Sequence, residues 1–191
     1  MTAQARSSFV PAGLGRWLGV CVWYAVILLI VPFGRPLYDA GIARWGLREV
    51  GLGIRAAGFL LVAGLTGFAG RRLLLARKLQ AVAACVCLAW FAWECARIHL
   101  AEELTHLLLY CPLGLLLDWA LAASFPAGRV RTLLAILLTA TLGALEEGSQ
   151  TLMPGRFFDP TDVWLNALGG ALPVLFLALT RQREEGERDR K

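Results

Sequence analysis

The chain has 191 residues, 58% of them hydrophobic and 17% charged, with a formal net charge of +5 and a mean hydropathy of +0.61. Average soluble domains are roughly 45–50% apolar and about 25% charged; the excess here lies in long runs, which excludes an ordinary soluble globule and makes the lipid bilayer the first partner. The basic residues flank those runs and do not form a stripe interleaved with aromatics, so no nucleic-acid partner is expected.

A spanning helix needs roughly 20 mostly apolar residues. Six segments qualify: 14–33, 51–69 (interrupted by Arg55), 79–96, 104–125, 132–152 and 161–180. The first reads as a retained helix, because Pro32-Phe33-Gly34-Arg35 is no small-residue cleavage site. Between the first two, residues 36–50 carry Arg35, Arg44 and Arg48 near their ends or within them, and read as an interfacial segment anchored by Trp45. The second span is rich in glycine (Gly51, Gly53, Gly58, Gly64, Gly67, Gly70), which suits close helix packing in the bundle or against another subunit. Five cysteines, odd in number and without a CxxC pair, read as small apolar packing residues.

The Lys/Arg distribution orients these spans. With six crossings, 13 of the 19 basic residues fall on the side that holds both termini, loop 2–3 and loop 4–5. The positive-inside rule makes that side cytoplasmic. The expected fold is an all-α membrane protein, a bundle of about six transmembrane helices with both termini cytoplasmic. Its organisation is two N-terminal helices (1–78), a four-helix unit (79–180) and a charged tail (181–191).

Polar residues of the last four spans then gather at the outer side. Glu94 and Arg97 close the third span. Glu102, His106 and Tyr110 recur every four residues at the start of the fourth, and so share one helix face. Glu146, Glu147 and Gln150 end the fifth, and Asp162, Asn166 and Gly170 open the sixth at the same spacing of four. Charge at membrane depth costs at least a few kcal/mol, so such a group is a candidate site by default. Asp159-Pro160 has the form of a helix start with Asp159 as its N-cap, and Pro154-Gly155 that of a turn. Asp162 exceeds a capping role, because Asn166 continues its face. His106, Glu147 and Asp162 are the candidate catalytic acid/base groups; for His106 the alternative is a hydrogen-bonded structural role. Tyr110, Gln150, Arg156 and Asn166 are the candidate ligand-binding residues. Arg156 is either a salt-bridging lock between the fifth and sixth spans or a fork for phosphate or carboxylate. No HExxH or other complete metal signature and no nucleophile elbow is present, so neither metal nor cofactor is expected and no reaction is assigned.

In order and spacing these residues resemble the VanZ-like family of bacterial integral membrane proteins. The elements are His106 and Tyr110 followed by Leu113-Gly114, then Glu147-x-x-Gln150, the turn Gly155-Arg156, and Asp162-x-x-x-Asn166 with Gly169. The resemblance covers roughly residues 79–180. It implies a multi-pass protein of the bacterial inner (plasma) membrane with a cell-envelope role, similar to that of the namesake, a low-level teicoplanin (glycopeptide) resistance determinant. Glu102-Glu103 stand where the family pattern has a basic or mixed segment, so no ligand preference carries over. Two readings follow. In one, an outward polar pocket binds an anionic envelope lipid or lipid-linked glycan. In the other, the chain is a non-catalytic accessory subunit that meets other membrane subunits and uses its polar cluster as glue. A transporter fits less well, because the cluster lies at one end and not at mid-membrane.

Overall fold

The computed structural model describes residues 12–75, 78–97 and 101–188. His99, residues 189–191 and the side chains of Glu102 and of residues 182–188 lie outside the described residues. The chain is an all-α membrane protein, and its described residues form six helices: α1 (Ala12–Trp45), α2 (Leu47–Leu75), α3 (Lys78–Arg97), α4 (Ala101–Leu121), α5 (Arg129–Gln150) and α6 (Pro160–Arg188). Four of them, α1, α2, α4 and α6, contain windows long and apolar enough to cross a membrane by length and composition alone. All six helices fall where the apolar runs predict them.

The N-terminal pair departs from expectation in its connection. Residues 36–45 continue α1 and do not form a helix of their own, and α2 starts two residues after α1 ends. Gly46, with φ of 96°, makes the break in the left-handed region where a Cβ is disfavoured. Neither Pro32 nor Pro36 breaks α1. At its far end α6 runs past the apolar stretch into Arg-Gln-Arg-Glu-Glu, residues of good helix propensity that stay helical in water.

Two apolar clusters meet on α4. One joins α2, α3, α4 and α6 through Leu65, Phe91, Leu107, Leu168 and Phe176. The other joins α1, α4, α5 and α6 through Ile27, Leu113, Leu117, Ala135 and Val174. Helices α4 and α6 touch most of the others and form the axis of the bundle. They approach closely where two glycines face each other: a Cβ on Gly114 would lie 2.7 Å from the carbonyl oxygen of Gly170. Small residues permit this approach, which sets the neighbouring polar faces within hydrogen-bonding reach. Gly58 alone among the described α2 glycines packs this tightly, 3.3 Å from Cys95 Sγ; Gly51, Gly53, Gly64 and Gly67 meet nothing within 4 Å.

Helix α1 is fixed across the bundle by two side-chain hydrogen bonds. Trp23 Nε1 donates to the carbonyl of Leu109 at 2.9 Å, and Tyr24 OH donates to that of Leu142 at 3.0 Å. Leu109 neighbours the carbonyl that Pro112, lacking an N–H, leaves without its helical donor. Outward faces of α1 and α2 carry exposed Leu18, Leu29, Phe33, Leu60 and Phe68, as a lipid-facing surface does.

Candidate functional site

The start of α4, the end of α5 and the start of α6 come together at one end of the bundle. A helix rises about 1.5 Å per residue, so Tyr110 lies about 13 Å along α4 and Asn166 about 9 Å along α6. The turn that closes this end is built as the sequence predicts. Gly155 has φ of 77°, and Asp159 caps α6, its Oδ1 accepting the N–H of Thr161 at 2.8 Å.

Glu146 is the hub of the buried polar network. It is 1% exposed, and its carboxylate accepts Gln150 Nε2 at 2.9 Å, Asn166 Nδ2 at 3.2 Å and Tyr110 OH at 3.4 Å. Gln150 Nε2 also donates to Glu147 Oε2 at 2.6 Å, so one amide bridges two consecutive carboxylates. Glu147 Oε1 accepts the backbone N–H of Asp159 at 2.9 Å, which ties the end of α5 to the cap of α6. Two acids side by side are accommodated in this burial because each finds donors in fixed positions.

His106 connects the hub to Asp162. Its Nδ1 lies 3.0 Å from Asn166 Oδ1 and its Nε2 3.5 Å from Asp162 Oδ2. Gly143 makes room for this arrangement: a Cβ there would lie 2.7 Å from the Cβ of Asn166 and 3.3 Å from the ring of Tyr110. No buried side-chain nitrogen or oxygen among the described residues lacks a hydrogen-bond partner.

A cavity of about 550 Å³ adjoins the network. His106, Glu146, Gln150 and Arg156 line it from α4, α5 and the turn after α5, and α1 and α2 contribute Ile30, Arg35, Leu37, Tyr38, Trp45 and Ile54 among others. Tyr110 and Asn166, at 1% and 0% exposed, stand behind His106 and Glu146 and do not line it. Glu147 and Asp162 also lie off the lining, Glu147 buried and Asp162 partly open. The structure thus brings together His106, Tyr110, Glu147, Gln150, Asp162 and Asn166 in one network and sets Arg156 on the cavity beside it. Glu94 stays apart, holding Arg97 at 2.6 Å and Trp90 Nε1 at 3.1 Å within α3.

Three features escape the sequence reading. Glu146, not Glu147, is the hub, and the spacing of both from Gln150 gives no choice between them. The N-terminal pair forms a wall of the cavity. At the opposite end of the bundle Asp118 holds two arginines, Arg131 Nε at 3.0 Å and Arg181. The alternation of six helices puts all three at one end, a signal that topology contains but sequence spacing conceals.

Among the described residues no group of three or more His, Cys, Asp or Glu is placed to hold a metal ion. The arrangement sets hydrogen-bond acceptors, an imidazole and the guanidinium groups of Arg35 and Arg156 on the lining of one cavity. In comparison with known families, residues 72–181 match the family model described as VanZ/LLP1. That span is more than half of the chain and takes in α3 to α6 up to Arg181. No curated protein and no solved structure matches the chain.

Proposed function

The chain belongs to the VanZ/LLP1 family, and from that premise we propose that it is a protein of the bacterial inner membrane whose outward pocket binds the headgroup of an anionic envelope lipid or lipid-linked glycan, in a role like glycopeptide resistance. The observation that carries this reading is the lining of the cavity, which sets the polar Arg35, His106, Glu146, Gln150 and Arg156 among the apolar Ile30, Leu37, Trp45, Ile54, Leu108 and Leu109. A water-soluble ligand has no use for the apolar part, and a bulk hydrocarbon chain has none for the polar groups. Arg156 and Arg35 supply the cationic end for a phosphate or carboxylate. His106, Glu147 and Asp162 are the acid/base candidates within the same site. The concentration of Lys and Arg at the opposite end supports cytoplasmic termini and an outward pocket. In this organisation residues 79–180 form the site-bearing unit and 1–78 the added pair that walls it.

The test is to purify the full chain from bacterial membranes in mild detergent and identify the retained lipids by mass spectrometry. Enrichment of one anionic lipid or lipid-linked glycan is expected, reduced at least tenfold by Arg156→Ala with membrane levels intact. Retained lipid in the proportions of the bulk membrane would sink the proposal.

A second reading has one observation in its favour. Gly51, Gly64 and Gly67 of α2 face open space within the chain, and small residues are what a neighbouring membrane helix packs against. In that reading the chain is an accessory subunit and its polar network is glue. Release from mild detergent with partners in fixed stoichiometry would establish it, and a monodisperse monomer would remove it.

A further inference from the structure

We infer that Glu146 is a positioning residue: acting through Asn166, it holds the ring proton of His106 on Nδ1 and thereby makes Nε2 the nitrogen that the site presents to Asp162 and the ligand. The argument follows hydrogen-bond polarity along the network. In its ionised form Glu146 offers only acceptors, so the atom of Asn166 that faces its Oε2 at 3.2 Å is the amide nitrogen. The other end of the same amide is then the oxygen, 3.0 Å from His106 Nδ1. An amide oxygen only accepts, so Nδ1 carries the proton and donates it. Asn166 is 0% and Glu146 1% exposed, which leaves no bulk water to satisfy the reverse orientation. Gln150 and Tyr110 donate to the same carboxylate and hold it in place.

The consequence falls on the other nitrogen. Nε2 lies 3.5 Å from Asp162 Oδ2, and in the neutral ring with its proton on Nδ1 it is an acceptor. A ligand hydroxyl that reaches this nitrogen, such as that of a glycan or glycerol next to the anionic group at Arg156, meets it as the donor. The ligand class rests on the function proposed above, but the state of the ring does not, and it is measurable with no ligand.

The experiment uses the full chain, ¹⁵N-labelled at histidine and reconstituted in lipid nanodiscs, with the two histidine spectra distinguished by a His99→Gln variant. The ring nitrogen shifts report which nitrogen is protonated. Nδ1 is expected to be protonated in the wild type. Glu146→Leu removes the acceptor that fixes the Asn166 amide, lets that amide turn round and transfers the ring proton to Nε2 in a measurable fraction of molecules. Asp162→Asn keeps Nδ1 protonated, because its amide can donate to Nε2. Gln150→Met loosens the same carboxylate without changing its polarity and also keeps Nδ1 protonated. Each variant is compared only as a monodisperse, helical preparation. A bare Nδ1 in the wild type, or an unchanged ring in folded Glu146→Leu, overturns the inference. So does a change in Gln150→Met as large as that in Glu146→Leu, which would reduce Glu146 to a packing role. Failure of lipid enrichment alone would instead remove the proposed function and leave the ring assignment standing.

Discussion

Arg181 of α6 donates to Asp118 of α4 across 63 residues of sequence, while Arg131 of α5 donates to the other carboxylate oxygen at 3.0 Å. One buried acid thus fastens three helices at the end opposite the candidate site. Its two partners are unequal: the side chain of Arg131 is 9% exposed and that of Arg181 is 26%.

Asp118→Leu strands Arg131 in an apolar surround and removes the tie to α6. Breaking one partner out of a buried pair costs about 3–5 kcal/mol. The expected outcome is a large fall in the thermal midpoint in detergent, followed by tryptophan fluorescence. Asp118→Asn keeps an acceptor and falls less. Adding Arg131→Met to Asp118→Leu recovers most of the loss, because the burden lies in the uncompensated charge and not in the missing attraction. Arg181→Met alone costs less than Arg131→Met, since water already screens its side chain.

The glycine contacts predict a sharp contrast between helices. Gly114→Ala forces a methyl against the backbone of Gly170, and Gly169→Ala does the same against the carbonyl of Leu107 at 2.8 Å. Backbone cannot yield as a side chain can, so each substitution costs about 1–3 kcal/mol or more through overpacking. Gly51→Ala and Gly64→Ala meet open space in the monomer and are expected to be neutral or slightly stabilising, since alanine is the better helix former by about 1 kcal/mol. Thermal midpoints of the four variants in detergent check this. A loss at Gly64 that appears only in native membranes would point to a helix of another subunit.

Trp23 and Tyr24 hold α1 against α4 and α5 through the carbonyls of Leu109 and Leu142. Trp23→Phe and Tyr24→Phe each remove one hydrogen bond to a carbonyl, worth about 0.5–1.5 kcal/mol. The expected result is a modest fall in stability together with faster loss of retained lipid during detergent washing, because α1 is one wall of the cavity. Lipid retention measured against wash time checks it. Unchanged retention in the double variant would mean that α1 contributes no ligand contact.

Much of the site was legible because helical periodicity is local. Spacings of three and four put His106 with Tyr110, Glu146 and Glu147 with Gln150, and Asp162 with Asn166 on shared faces. Alternation of spans then brought those faces to one end. Periodicity is silent on what lies across a groove. Asp118 had no partner in sequence because its partners stand 13 and 63 residues away. The role of α1 and α2 in the cavity depends on Trp23 reaching the Leu109 carbonyl, 86 residues off. The boundary between α1 and α2 also misled: charge and proline in residues 32–48 suggested a separate surface segment, yet the chain stays helical until Gly46, where backbone geometry requires a left-handed residue.

Gln150 sits between two carboxylates, 2.9 Å from Glu146 and 2.6 Å from Glu147, and its amide is the donor they share. Gln150→Met keeps the volume and removes the donor. Each carboxylate retains other partners, Asn166 and Tyr110 for Glu146 and the Asp159 N–H for Glu147. The cost is therefore about 1–3 kcal/mol, that of under-satisfied buried acceptors, and not total loss of the fold. Gln150→Glu is worse, because it sets a third carboxylate against two others with no donor between them. The folded yield is expected to collapse. Adding Glu147→Gln to Gln150→Glu restores one amide among the three side chains, and the new amide oxygen still accepts from Asp159. Partial recovery of monodisperse protein in the double variant, measured by size-exclusion yield and thermal midpoint, is the expected outcome. If Gln150→Glu alone folds as well as the wild type, the bridging amide does not hold the two acids together.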